Sequence, residues 1–332
     1  MTIPRVLLVC HASSTMGLGH LARLLALAQA IRKTGTVHPE FLIIGDAIKN
    51  DELSSFSFSC HSPADELEQS VKIAVTARLP RVVVFDLYSK LLSPALEELF
   101  AWLQSRKIRS VGVDSLVNYC QFLDFVWVPS FNFDSSKIPS CTNKLKYGWD
   151  SFLIQKRLPG RPWKSGPRIL VLTGGADVTH LGNTLPQQLD MLLTPESEIH
   201  WVRGPYAVPP IVPDNQRLLW HIHDAPPQLD ELIVQSNYVL TVFGVSFFEV
   251  LQYGIPAVVF SPYGAKDQPE LEALKEERVA VVCHDPDSAV QGLIELMTDT
   301  DLATAYSQRA LEKLSTNGAQ KLAKLVCSLA GV

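Results

Sequence analysis

The chain of 332 residues lacks any excess of basic charge: 29 Lys and Arg stand against 34 Asp and Glu, for a net charge of −5. A dedicated nucleic-acid binder carries a basic patch, so this balance argues against one and no nucleic-acid partner is expected. No apolar run reaches the roughly 18 residues that a membrane span requires. The opening Met1-Thr2-Ile3-Pro4-Arg5 runs straight into a strand, without the charged region and cleavage site of a signal peptide. These absences point to a cytoplasmic chain. The six cysteines (Cys10, Cys60, Cys120, Cys141, Cys283, Cys327) form no Cys-x-x-Cys pair. Free thiols in a reducing compartment are therefore expected. There is no Gly-x-x-x-x-Gly-Lys-Ser/Thr, which leaves a P-loop unsupported. The glycines near Gly17 do not complete Gly-x-Gly-x-x-Gly, which argues against a nicotinamide-dependent oxidoreductase.

What is present is core material. Hydrophobic residues make up 47% of the chain, and 332 residues exceed what one core usually serves, so two domains are expected. Residues 6–10, 40–45, 82–86, 110–114 and 122–128 read as strands. Residues 21–32, 65–77 and 94–107 read as helices between them. Val82-Val83-Val84-Phe85-Asp86 is an unbroken apolar run closing on an aspartate, the pattern of a strand buried on both faces of a parallel sheet. Residues 129–166 carry Pro129, Pro139, Pro159, Gly160, Pro162 and Gly166 among polar residues and read as a domain boundary and linker. The alternation then restarts, with strands at 168–173, 199–203, 218–222, 238–242, 257–261 and 279–283. Helices are expected at 181–193, 227–235, 247–253, 268–277, 286–298, 301–313 and 319–329. Alternation of this kind specifies parallel α/β architecture. The expected domains are 1–150 and 165–332, the last helix packing back on the first domain. Open α/β sheets bind ligands beyond the carboxyl ends of their strands, so two of them define a cleft.

Candidate chemistry gathers at those strand ends. Thr15-Met16-Gly17-Leu18-Gly19-His20-Leu21-Ala22-Arg23 joins the first strand to the first helix. Glycines let the backbone approach a ligand, and a helix N-terminus offers N–H groups to an anion. His20 beside it is a candidate acid or base. Asp86, Tyr88 and Asp114 end two further strands; the plain alternative for the aspartates is helix capping. In the second half, Gly174, Gly175 and Asp177 follow one strand. Gly244, Val245 and Ser246 open a helix after another and suit a phosphate. Glu249, one turn on, can accept hydrogen bonds from vicinal ribose hydroxyls, or can simply compensate the helix dipole. Phe243, Phe247 and Phe248 are read as core. His221-Ile222-His223 puts two imidazoles on one strand face, but with no Cys or carboxylate cluster to complete a zinc site, no metal site is expected. Cys10-His11 is no nucleophile pair, because adjacent strand residues face opposite ways.

Gly17-x-Gly19-His20-x-x-Arg23 before a helix resembles the N-terminal signature of GT-B enzymes. The closest resemblance is to the UDP-sugar hydrolases of pseudaminic acid biosynthesis, and a more distant one is to the lipid II-forming N-acetylglucosaminyltransferases. Asp86-Leu87-Tyr88 is similar to the hydrolases' Asp-x-Tyr, and Val111-Gly112-Val113-Asp114 to their next strand. Gly174-Gly175-Ala176-Asp177 is similar to Gly-Gly-Ser-Asp, and Gly244-Val245-Ser246-Phe247-Phe248-Glu249 to Gly-Ser-Thr-x-Trp-Glu. Tyr253-Gly254-Ile255-Pro256 is similar to Leu-Gly-Leu-Pro, and Asp267-Gln268 to Asn-Gln. The order of these motifs spans nearly the whole chain, although Ala176, Val245, Phe247, Phe248 and Asp267 depart from the pattern.

The resemblance implies a GT-B fold of two Rossmann-like parallel-sheet domains facing a cleft. It implies a UDP-sugar held by Gly17, Gly19, Arg23, Gly174, Gly175, Asp177, Gly244, Val245, Ser246, Glu249 and Gln268. Catalysis would fall to His20, Tyr88 and Asp86, with no metal or other cofactor, since helix dipoles and backbone amides meet the leaving diphosphate. The activity implied is inverting transfer at the anomeric carbon with release of UDP, of the kind used in polysaccharide biosynthesis. The acceptor would be a sugar or a lipid-linked hydroxyl, the latter calling for peripheral membrane contact. The alternatives are hydrolysis with water as nucleophile, or nucleotide-sugar binding without turnover.

Overall fold

A computed structural model of the chain describes residues 3–13, 15–46, 50–62 and 66–332. It comprises two compact units, Met1–Gln155 with Thr316–Val332, and Lys156–Ser315.

The first unit contains β1 (Arg5–Ala12), α1 (Gly19–Thr34), β2 (His38–Gly45), β3 (Ser57–His61), α2 (Leu67–Arg78) and β4 (Val82–Asp86). It continues with α3 (Ala95–Ser105), β5 (Arg109–Val113), β6 (Phe125–Trp127) and β7 (Leu145–Lys146). The strands form one sheet in the order β3-β2-β1-β4-β5-β6-β7, every pair parallel. β4 is buried along its whole length, as its unbroken apolar run requires. Leu24, Leu27 and Ile31 of α1 pack on one face of the sheet. Val71 and Val75 of α2 and Leu99, Phe100 and Leu103 of α3 cover the other. The C-terminal helix, Gly318–Leu329, lies beside α1 and buries Leu322, Ala323 and Val326 in the same core. Its Lys321 Nζ donates to Asp150 Oδ2 at 2.7 Å.

Three features of this unit depart from the sequence expectations. β3 was not anticipated, because Ser57-Phe58-Ser59-Cys60-His61 is polar and largely exposed, as an edge strand can be. The helix expected over 65–77 runs from Leu67 to Arg78, and Asp65 lies outside the described residues. The boundary region from 129 is folded onto the first unit as far as Gln155: β7 pairs with β6, and Trp127 Nε1 donates to the Ser151 carbonyl at 2.6 Å. The expectation of six free thiols is also corrected. Cys120 and Cys141, 6.1 Å apart at Cα, form a disulfide, and Cys10, Cys60, Cys283 and Cys327 are free. Spacing along the chain carried no sign of this pairing, because the two cysteines meet only when the segments after β5 and β6 pack together.

The second unit contains β8 (Arg168–Leu172), α4 (Leu185–Leu192), β9 (Glu198–Arg203), β10 (Leu219–Asp224), α5 (Leu229–Gln235) and β11 (Tyr238–Val242). It continues with α6 (Val245–Leu251), β12 (Ala257–Phe260), α7 (Gln268–Glu277), β13 (Val281–Val282), α8 (Pro286–Thr298) and α9 (Thr300–Lys313). Its sheet order is β10-β9-β8-β11-β12-β13, again all parallel. Leu185 and Leu189 of α4 and Leu293 and Leu296 of α8 pack with Val171, Trp201 and Val258. α8 begins on a reciprocal cap in which Asp285 accepts from Ser288 N–H and Ser288 Oγ from Asp285 N–H. The β9–β10 register sets His200 opposite His221. Glu198 is therefore brought beside the histidine pair, which corrects the expectation that no carboxylate stands near it.

Both sheets reverse their winding direction once, the first between β1 and β4 and the second between β8 and β11. At such a switch point the two following loops diverge and leave a crevice outside the strand ends. This topology puts the loop after β1 next to the end of β4, and the loop after β8 next to the loop after β11.

Candidate active-site elements

In the first unit the loop after β1 is closed by an antiparallel bridge between Ser13 and Gly17, with Gly17 N–H donating to the Ser13 carbonyl at 2.9 Å. Gly17 has φ of +78°, the left-handed conformation that glycine tolerates best. Gly19 opens α1, and no side chain caps that helix start. His20 and Arg23 lie one turn apart and so share a helix face.

That face meets the ends of β4 and β5. His20 Nδ1 stands 2.7 Å from Asp86 Oδ1. Arg23 donates from Nη2 to Asp86 Oδ1 at 2.6 Å, from Nε to Oδ2 at 2.8 Å, and from Nη1 to Asp114 Oδ2 at 2.7 Å. Asp86 is fully buried and accepts all three of its bonds through ionised oxygens. Burial alone would raise its carboxyl, but Arg23 and His20 outweigh that and hold it below its ordinary value. An acceptor-only partner fixes the proton of His20 on Nδ1 and leaves Nε2 with its lone pair. The 2.9 Å approach of Arg23 Nη2 to the same Nδ1 is then a close contact between two donors, not a bond. His20 is 14% exposed, so the ring is accessible yet held. Arg23 is largely withdrawn from solvent; this would lower its pKa, but Asp86 and Asp114 raise it further and keep it charged. Asp114 sits at φ of +59°, uncommon for a non-glycine, where it reaches Arg23.

Tyr88 stands edge-on to His20, with ring centroids 6.2 Å apart. Its backbone N–H donates to His11 Nδ1 at 3.0 Å, and Ser115 Oγ donates to the Leu87 carbonyl at 2.8 Å. His11, which the sequence offers only as half of a rejected Cys10-His11 pair, has a structural role here. It is buried and its pKa is pushed down to about 4, chiefly by burial and then by His20, so it is a neutral acceptor that holds the Asp86–Tyr88 segment. Cys10 is buried, and burial followed by Asp86 raises its thiol well above the usual value, so it is not a nucleophile.

In the second unit Gly174 adopts φ of +87°, and Tyr206 N–H donates to the Gly175 carbonyl at 2.9 Å. Asp177 turns inward: it is buried, and its oxygens accept the N–H groups of Leu181 and Gly182, each at 2.9 Å. Its carboxylate holds the loop, a capping use that strand-end aspartates often serve. Gly244, Val245 and Ser246 begin the short α6 directly after β11. A Cβ built on Gly244 would meet nothing within 4 Å, so the packing of the protein does not itself call for glycine there. Glu249 is half-buried on the same helix, while Phe247 and Phe248 are core. Gln268 opens α7 and donates to Glu272 Oε1 at 2.6 Å. The structure thus brings His20, Arg23, Asp86, Asp114 and Tyr88 together in the first unit. In the second it groups the 174–177 and 244–249 segments at neighbouring strand ends.

No protein-family profile matches the chain, and no curated protein is similar to it in sequence. Solved structures do match over almost its full length. MurG of Acinetobacter baumannii aligns over 97% of this chain and 99% of its own, at 15% identity and a TM-score of 0.65. The calicheamicin glycosyltransferase CalG4 aligns over 100% and 99%, at 13% identity and 0.65. A putative UDP-N-acetylglucosamine 2-epimerase of Listeria monocytogenes aligns over 97% and 95%, at 11% identity and 0.65. These structures do not support a closest relationship to the hydrolases of pseudaminic acid biosynthesis. At such identities the likeness is one of fold: the chain has the GT-B architecture of two Rossmann-like, all-parallel units.

Proposed function

We propose that the protein is a nucleotide-sugar-dependent glycosyltransferase that uses His20 as general base. The observation that carries this reading is the His20–Asp86–Arg23–Asp114 network, which fixes the His20 proton on Nδ1 and presents Nε2 as acceptor. In the proposed reaction His20 Nε2 takes the proton of an acceptor hydroxyl, whose oxygen attacks the anomeric carbon in line. The bond to the nucleoside diphosphate breaks, and the configuration at that carbon inverts. An ionised carboxylate behind the ring steadies the imidazolium as it forms. Tyr88 borders the histidine and shapes the space for the sugar or its acceptor.

The nucleotide is assigned to the second unit. Backbone N–H groups at Gly244, Val245 and Ser246 receive the diphosphate, Glu249 the ribose hydroxyls, and Gln268 the sugar or a phosphate. Gly174 and Gly175 leave room beside them. The unfilled space at Gly244 supports this, because a ligand approaching the backbone would need it. UDP is the nucleotide proposed. The leaving charge is met by oriented amides, so the bond-breaking step takes no metal.

The test is UDP release from a panel of UDP-sugars with and without sugar or lipid-linked hydroxyl acceptors. Wild type is expected to release UDP in an acceptor-dependent manner. His20→Ala is expected to lose roughly 10²–10⁴-fold in turnover, the usual contribution of a general base, while binding UDP as before. Full activity in His20→Ala would overturn the assignment. Acceptor-independent stoichiometric release would make the protein a hydrolase, and UDP binding without turnover a binding protein.

A further inference from the structure

We propose that Glu198, His200 and His221 bind a divalent transition-metal ion of the zinc class on one face of the β9–β10 edge. The inference is independent of the proposed activity. Ile199 and Trp201 of β9 and Trp220 of β10 pack toward the core. The residues alternating with them, Glu198, His200, His221 and His223, therefore line the opposite face.

Three observations carry the site. First, one ligand atom from each of Glu198, His200 and His221 lies within 4.8 Å of the others, the only such group of three among the described residues. His200 Nε2 is 3.1 Å and His221 Nε2 3.2 Å from Glu198 Oε1. A tetrahedral ion with bonds of about 2.0–2.1 Å separates its ligands by roughly 3.3–3.4 Å, close to both of these separations. Second, His221 Nε2 is buried and, despite its proximity to Glu198, makes no hydrogen bond. A buried nitrogen without a bond is costly, and a metal ion would satisfy it. Third, the surrounding groups orient the ligands. His200 Nδ1 lies 3.0 Å from His223 Nε2, which orients the His200 ring with its Nε2 toward Glu198 Oε1. Arg168 Nε holds Glu198 Oε2 at 3.3 Å, and its Nη2 lies 3.4 Å from Oε1. Metal-binding carboxylates are ordinarily hydrogen-bonded in this way, and metal-binding histidines have the second ring nitrogen held by a polar partner.

The donor set of two imidazoles and one carboxylate, without thiolate, favours zinc-like ions over magnesium or calcium. With three protein ligands, a fourth position is left to water. The cluster begins at Glu198, the first residue of β9, so it stands some 10–16 Å of strand away from the carboxyl end at Arg203. We assign it to fastening the edge strand β10 onto β9.

The untagged full-length chain, stripped by chelator and dialysed, is titrated with Zn²⁺ and with Co²⁺. One equivalent per chain is expected, with a rise in melting temperature for Zn²⁺ and the intense visible absorption of four-coordinate Co²⁺. His221→Ala and Glu198→Gln should each weaken binding by on the order of 100-fold or more. His223→Gln should weaken it by about 10–100-fold, as loss of an orienting partner does. His284→Ala, an exposed histidine elsewhere in the unit, should bind as wild type. Absence of stoichiometric binding would overturn the proposal. So would unchanged affinity in both His221→Ala and Glu198→Gln, the second being nearly isosteric and so a guard against misfolding of the first.

Discussion

Replacing Asp86 by asparagine removes one negative charge from the interior of the first unit and changes almost nothing else in shape. In the native chain its two oxygens receive His20 at 2.7 Å and Arg23 at 2.6 and 2.8 Å. Arg23 is only 13% exposed, so in the variant its charge stays buried, and one amide donor of the new side chain is turned toward donors. Breaking one partner of a buried ion pair costs roughly 3–5 kcal/mol. Asp114 remains bonded to Arg23 Nη1 but is 44% exposed and compensates weakly, which places the loss near the lower end, at about 3 kcal/mol. A chain of two units need not unfold in one step, so a single melting curve would blur the effect. Hydrogen exchange read by mass spectrometry on peptides of β1 and β4 isolates it. About 3 kcal/mol corresponds to exchange faster by on the order of 100-fold at the slowest amides.

The same residue fixes a pH dependence. The folded carboxyl is held below its ordinary value, with burial opposing the shift and Arg23 and His20 outweighing it. Its stabilisation is therefore fully present above the unfolded carboxyl pKa of about 4, and is lost as pH falls through the lower folded value. The gap between wild type and Asp86→Asn should stay constant from pH 7 to about 5 and narrow below about 4. A variant within about 1 kcal/mol of wild type at pH 7 would refute the argument that Arg23 depends on Asp86. So would a gap unchanged on acidification.

Two further outcomes follow from packing. Gly318→Ala should destabilise the docking of the C-terminal helix by about 1–3 kcal/mol. The new Cβ would stand 2.4 Å from the Phe152 carbonyl oxygen, and this clash exceeds the gain of about 1 kcal/mol in helix propensity; a variant as stable as wild type in thermal melts would refute it. Alkylation of the denatured chain without reductant should modify four thiols, and six after reduction, with Cys60 reacting first in the native protein; six without reduction would exclude the Cys120–Cys141 bond.

The architecture was legible because interior strands of a parallel sheet are apolar on both faces, so β4 and β11 could be delimited to the residue. β3 escaped because an edge strand faces solvent and carries the serines of a loop. Gly17 and His20 were legible because each follows directly from a strand-to-helix junction. Arg23 was placed with the ligand-binding residues, whereas the structure sets its guanidinium between Asp86 and Asp114, a linkage spanning 63 and 91 residues of chain. Asp177 shows the reverse case. Its position after a strand suggests a ligand, but at φ of +45° its carboxylate folds back onto Leu181 and Gly182.

Register is the information a single sequence carries least. Two parallel neighbours are joined by a crossover of variable length, and sliding one strand by two residues keeps every side chain on its proper face. Between β9 and β10 the chain runs through residues 204–218, with prolines at 205, 209, 210 and 213 and no helix of its own, so nothing local pins the pairing. His221 and His223 are visible as a pair on one face from alternation alone. Their meeting with His200 and Glu198 depends on the pairing of His221 with His200, and a shift of two residues would set Glu198 or Val202 there instead. What holds the pairing on the core side is Trp220 against the cluster containing Ile199 and Trp201. On the other side it is the polar cluster itself, where His200 Nδ1 meets His223 Nε2 across the strands. The residues that make up the proposed cation site therefore also define the register that assembles it, which is why their grouping emerges only in the folded sheet.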